Sequence, residues 1–113
     1  MIDISKDLEE IGIDFYEQGS VPKVNMPNSY ITFWGNPSFD NLNADNRTKE
    51  IVYPFTIIYY TKEWGSMSSV FENIVDLLKS KNYIASGMGF PIESGVDQYI
   101  ARCIEVQKIE RRI

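Results

Sequence analysis

Histidine is absent from the 113 residues, and there is a single cysteine, Cys103. The first absence removes the side chain most used as a general base near neutral pH, the commonest metal ligand and every histidine-based triad. Together the two exclude a zinc centre of the usual Cys/His composition. One cysteine allows no internal disulfide, so a reducing, intracellular setting is the expectation. Long apolar runs are missing as well: none approaches the roughly 20 residues that cross a bilayer. The start, Met1-Ile2-Asp3-Ile4-Ser5-Lys6-Asp7, has neither the basic residues nor the apolar stretch of a signal peptide. Basic charge is also scarce, since 11 Lys and Arg face 16 Asp and Glu for a net charge of −5. A protein that grips phosphates by charge is basic, so general nucleic-acid binding is disfavoured.

What remains is an ordinary globular balance, 43% apolar and 24% charged, in a length that fits one domain over residues 1–113. No repeat or low-complexity tract interrupts it. From about Asp3 to Gly12, Ile4, Leu8 and Ile11 form one apolar stripe of a short amphipathic helix, with Gly12 as its stop. Ile13-Asp14-Phe15 alternates like a short strand, and Gly19 to Pro27 reads as a connection. Tyr30 to Trp34 is all β-branched or aromatic, hence a strand. Asn36 to Lys49 is polar and without period, a long loop of the kind that often carries function. Ile51 to Thr61 is the strongest strand. It is apolar on both faces, so both are expected to be covered, and Pro54 belongs near its start or on an edge. Ser69-Val70-Phe71-Glu72 fits a capping box, with Ser66 an earlier candidate cap, and helical spacing then runs to about Lys81 with Asn82 as a left-handed cap. A strand from Tyr83 to Phe90, bent at Gly87 or Gly89, a turn from Pro91 to Asp97 and a last strand from Gln98 to Ile109 complete the chain. The expected fold is α+β: a mainly antiparallel sheet of about four to five strands, one long helix packed on a face and a short N-terminal helix.

The candidate chemistries fail one by one. Asp40 to Asn46 offers oxygen ligands, but counting from Asp40 puts Leu42 third, Asp45 sixth and Ile51 twelfth, against the requirements of a calcium loop. Gly87-Met88-Gly89 lacks the third glycine, the helix and the Lys-Ser/Thr pair of a phosphate loop, so a bent strand is the better reading. Asn46-Arg47-Thr48 matches a glycosylation sequon by letters alone. Cys103, inside a strand and with no histidine to activate it, reads as an inert buried thiol. Acid pairs such as Asp3/Asp7 and Glu9/Glu10 read as a solvated face. The expectation is therefore no catalytic residue, no metal and no cofactor.

Aromatics are in excess instead: 2 Trp, 7 Tyr and 6 Phe. Successive strand residues point to opposite faces, so Phe33-Trp34 and Tyr59-Tyr60 cannot all enter one core. The surplus points to a protein–protein surface, where Tyr and Trp act as anchors.

The order of these pieces carries a resemblance. Pro27-Asn28-Ser29-Tyr30-Ile31-Thr32-Phe33-Trp34 leads into the polar Ser38-Phe39-Asp40…Asp45-Asn46 stretch. Ile57-Ile58-Tyr59-Tyr60-Thr61, a helix ending Leu77-Leu78-Lys79, Tyr83-Ile84-Ala85-Ser86-Gly87-Met88-Gly89-Phe90 and Tyr99-Ile100-Ala101-Arg102 follow. From about Pro27 to Glu110 this resembles the small tail-terminator or tail-completion proteins of long-tailed, siphovirus-like bacteriophages and prophages. The resemblance implies a virion protein of the tail-neck region, assembled in the bacterial cytoplasm. Such a protein forms a ring, typically of six copies, that caps the tail tube, ends its polymerisation and meets the head connector or stopper. It carries no catalytic residues, and DNA passes through its lumen without specific binding, for which a negative lumen is suited. On this reading the candidate interface residues are Trp34, Phe39, Asp40, Asn43, Asp45, Arg47, Tyr59, Tyr60, Trp64 and Arg102, the last expected to pair with a carboxylate within or between subunits. The alternatives are another neck component such as a head-closure or connector protein, a small-molecule-binding or enzymatic α+β domain with a concave apolar pocket, and an inhibitor whose acidic residues 3–17 mimic nucleic acid.

Overall fold

The computed structural model describes residues 4–18, 26–42, 49–85 and 87–112, the side chains at 39–42, 49 and 111–112 excepted. It is an α+β protein with a single, mostly antiparallel sheet. The helix Ile4–Leu8 (α1) runs on as a 3-10 turn, Glu9–Ile11, and stops at Gly12, whose φ of 76° is the left-handed conformation that glycine adopts without steric cost. Ile4 and Leu8 are buried and Ile11 packs against the same core, so the expected stripe is the one that docks.

The long helix, Met67–Ser80 (α2), buries Met67, Phe71, Ile74, Val75 and Leu78, one face of a 3.6-residue period. It ends as expected: Asn82 takes φ 71°, donating its N–H to the Lys79 carbonyl. Its start differs. Ser69 is no cap; its hydroxyl donates back to the Ser66 carbonyl inside a helix that has already begun. Ser66 occupies the cap position, but its hydroxyl donates to the Glu63 carbonyl of a preceding 3-10 turn, Trp64–Ser66. That turn satisfies the hydroxyl locally, in competition with a capping bond.

Among the described residues seven strands form the sheet, more than the four to five expected: Asp14–Glu17 (β1), Ser29–Gly35 (β2), Phe39–Leu42 (β3), Lys49–Thr61 (β4), Tyr83–Ala85 (β5), Phe90–Ile92 (β6) and Ile100–Arg112 (β7). Two corrections account for the surplus. The stretch 36–49 is not all loop, because 39–42 pairs antiparallel with 49–52. Asp and Asn are poor strand formers, and only the waiting edge of β4 makes these residues a strand. The expected bent strand 83–90 is two strands, both on the outer edge of β7 and separated by a turn. Gly89 makes that break possible: at φ +71° its backbone lies so close to β7 that a Cβ would collide with the Cys103 carbonyl oxygen. The expected turn likewise begins later, because Pro91 and Ile92 belong to β6. Residues 19–25 of the expected first connection lie outside the described residues.

The frame is the ladder of β4 against β7, paired over their full 13 residues from Lys49↔Arg112 to Thr61↔Ile100. Thirteen extended residues span about 44 Å, which accounts for a long axis of 52 Å in a molecule 25 and 24 Å across the other two. β2 flanks β4 at 55–61 and carries β1, its sole parallel neighbour. Pro54 is therefore not at the start or edge of a strand but inside a central one. It falls between the segments of β4 paired to β3 (49–52) and to β2 (55–61). Its carbonyl accepts from Asn36 on that side. Its nitrogen points the same way, into the gap between two strand ends, where no ladder bond is lost.

Candidate interaction surface

Alternation along β2, β4 and β7 sends two sets of side chains in opposite directions. Ile31, Phe55, Ile57, Tyr59, Ile104 and Val106 join α1 and α2 in the main core. Tyr30, Thr32, Trp34, Thr56, Ile58, Tyr60, Ala101 and Cys103 point the other way. Ile58, Ala101 and Cys103 form a second cluster with Trp34, Tyr60 and Ile92 packed on it, and among the described residues no helix contributes to it. Register extends this face outward. Phe90 lies opposite Cys103, and Ile84 opposite Gln107; they are 53% and 55% exposed. Both faces are thus apolar, and the helices cover one.

Four tyrosines close one end of the second face. Tyr30 stacks on Tyr60 with ring centroids 4.7 Å apart and meets Tyr16 and Tyr99 edge-on at 6.1 and 5.4 Å, the geometries that the ring quadrupole favours. Tyr99 donates its hydroxyl to the Pro27 carbonyl, and Lys62 lies over the Tyr99 ring at 5.2 Å. Burial, reinforced by Tyr60 and Tyr99, pushes the Tyr30 phenol up to about 12. Burial, with Glu105 nearby, likewise raises the Cys103 thiol, leaving it protonated and unreactive. Thr32 is the exception to good satisfaction here: its buried hydroxyl has no hydrogen-bond partner among the described residues.

The expected interface residues separate into distinct environments. Tyr59, 1% exposed, belongs to the main core and is unavailable to a partner. Tyr60 and Trp34 are half-buried on the second face, and Trp64 stands out at 68% exposure on the 3-10 turn before α2. Phe39 and Asp40 lie in β3, and Asn43, Asp45 and Arg47 fall outside the described residues. Among the described residues Arg102 takes no carboxylate within the subunit. Its guanidinium donates to the carbonyls of Met88 at 2.8 Å and Gly89 at 3.5 Å and lies over the Phe71 ring. It ties the β5–β6 turn to α2.

The acidic N-terminal segment is partly committed to structure. Asp7 accepts the Tyr83 hydroxyl at 2.7 Å and faces Lys108 at 3.6 Å, while Glu10 pairs with Lys81 at 2.8 Å. The Glu10 bond raises the Lys81 ammonium above its ordinary range. These contacts pin α1 to β5, β7 and the end of α2.

A groove of about 540 Å³ opens beside the second face. Met67, Ile92, Tyr99, Ile100 and Ala101 line it, with Glu93 and Arg102 among its charged residues. Ser94, its one hydroxyl besides Tyr99, is spent: it accepts from Val96 N–H, and its single proton serves the Tyr99 or Val96 carbonyl. Both hydroxyls of this wall, Ser94 and Tyr99, are thus committed to bonds within the subunit. Among the described residues no group of three or more carboxylates and thiols could hold a metal ion, and no helix is long and apolar enough to cross a membrane.

Sequence reasoning passed over Ile84, Phe90 and the pairing of Tyr16 and Tyr99 with Tyr30. Only the registers of β5 and β6 put the first two on the second face, and a local pattern does not contain them. No protein-family model matches the chain, and no curated protein matches it.

Proposed function

We propose that this chain is a structural assembly protein, a tail terminator of long-tailed bacteriophages or prophages. It acts by shape complementarity against copies of itself and the end of a tail tube. The observation that carries the reading is the second face of the sheet. Trp34, Ile58, Tyr60, Ile92 and Phe90 make it apolar, and no helix among the described residues covers it. Antiparallel sheets commonly turn one polar face to water; one with two apolar faces and a single helical layer is built to meet another surface. The order of elements resembling the tail-terminator family supports the specific assignment. So does the net charge of −5, which suits a ring through which DNA slides. In this reading about six copies close a ring by heterologous contacts. The ring stops tube growth, presents its far side to the head connector or stopper, and makes no covalent bonds.

The test is to add the purified protein to self-assembling tail tubes and image them by electron microscopy. Capped tube ends and uniform lengths are expected. Protein left unbound, with tubes of unregulated length, overturns the assignment. Binding on the head-connector side with tube length unaffected assigns the chain to another neck component.

A further inference from the structure

We infer that the groove beside α2 is the seat for Trp64 of a second copy of this chain. The contact builds on the assembly reading by naming its partner and its anchor. Trp64 has the properties of a docking residue. It is the most exposed of the large apolar side chains among the described residues, at 68%. It is also rigidly presented. The Glu63 N–H donates to the hydroxyl of fully buried Thr61 at 3.0 Å, and both the N–H and the hydroxyl of Ser66 return to the Glu63 carbonyl at 3.1 and 3.0 Å. A side chain held on a bonded turn loses little freedom on docking.

The groove has the complementary properties. Its walls are apolar, Met67 supplies an adaptable floor, and about 540 Å³ admits an indole with part of a flanking side chain. Its hydroxyl is already bonded internally, so it offers an apolar side chain more than it offers a polar ligand. The charges match as well. Lys62 and Glu63 precede Trp64, while Glu93 and Arg102 flank the groove. Lys62 against Glu93 and Glu63 against Arg102 pair opposite signs beside the inserted ring. Arg102 has spent only two of its donors, on Met88 and Gly89, so its fork has N–H groups left for a carboxylate. Every copy carries both halves of the contact, which is what repeated self-association requires.

Sedimentation velocity from micromolar to about 1 mM protein, read together with tryptophan emission, tests it. The full chain self-associates, with a blue shift from Trp64. Trp64→Ala weakens association by about thirtyfold, the loss of a central anchor. Val96→Trp, which fills the groove from an exposed turn position, has the same effect. An equimolar mixture of these two variants regains association, since one supplies the groove and the other the free Trp64. Lys62→Glu and Glu93→Lys each weaken it several-fold, and the double variant restores it, a recovery that misfolding cannot produce. Wild-type protein that stays monomeric at the top concentration overturns the contact, as does association indifferent to Trp64→Ala. Association lost in Val96→Trp but not in Trp64→Ala overturns it by placing another segment in the groove. A monomer that still caps tubes removes this contact and leaves the assembly reading standing; a self-associating protein that ignores tubes does the reverse.

Discussion

Ile57 and Ile58 are neighbours in the chain and live in different proteins, physically speaking. Ile57 is fully buried beneath two helices, among Phe71, Ile74, Leu78 and Ile104. Ile58 is 7% exposed in a cluster of sheet side chains to which, among the described residues, no helix contributes. The first face is closed by shape: aliphatic residues from helix and strand interdigitate as in any core. The second is closed by its own aromatics, with Tyr30, Tyr60 and Tyr99 leaning on one another. An aliphatic core stabilises the subunit. An aromatic face does that less completely and leaves Phe90 and Ile84 in water, available to a partner.

Substitutions on the two faces test that contrast. Ile57→Ala costs about 4 kcal/mol by leaving a cavity that the helices cannot collapse. Ile58→Ala costs about 2 kcal/mol, because its cluster of sheet side chains, without a helix among the described residues, relaxes into the space. Urea unfolding of both reads the difference, and equal losses would mean that the second face is packed as firmly as the first. Gly89→Ala costs about 3 kcal/mol, from strain at positive φ and from the collision with the Cys103 carbonyl. Gly87→Ala, with positive φ but open space around it, costs about 1 kcal/mol. A gap between these two measures how tightly the β5–β6 turn is held against β7.

Alkali addresses the aromatic face alone. The Tyr30 phenol is raised from about 10 to about 12 in the fold. The unfolded chain therefore loses this proton first, and folding stability, full below pH 10, declines as pH rises from 10 toward 12. Absorbance at 295 nm against pH, with denaturant unfolding alongside, follows both. Tyr30→Phe removes that component of the decline, and an unchanged profile would detach it from this residue. Two further substitutions probe the helical side's rim. Asp7→Ala loses the Tyr83 hydroxyl and Lys108 together and costs about 2 kcal/mol. Glu10→Gln, at an exposed pair with Lys81, leaves the thermal midpoint within error.

Much of the helical side was legible beforehand. The Ile4/Leu8/Ile11 stripe, the Gly12 stop, the period of α2 and the Asn82 cap all depend on residues a few positions apart, and all stand in the structure. β2 and β4 were equally plain from their β-branched and aromatic runs. The candidate surface was legible only in kind. An aromatic surplus announced a surface, but Tyr59 went to the core and Tyr60 to the second face by one step of alternation, and within the subunit Arg102 meets the carbonyls of Met88 and Gly89. The capping box at Ser69 misled because a 3-10 turn had already started the helix.

Local order was thus written in the chain itself: which segments coil, which extend, where glycine and asparagine stop them, and that no histidine chemistry is available. The contacts between distant segments belonged to the folded state. Phe39–Leu42 became a strand because β4 offered an edge, Pro54 entered a central strand because two neighbours end beside it, and Gly89 broke a strand because β7 passes within reach. A dihedral preference is a property of one residue and its neighbours. Register and burial are set by partners tens of positions away, and only the assembled sheet brings them together.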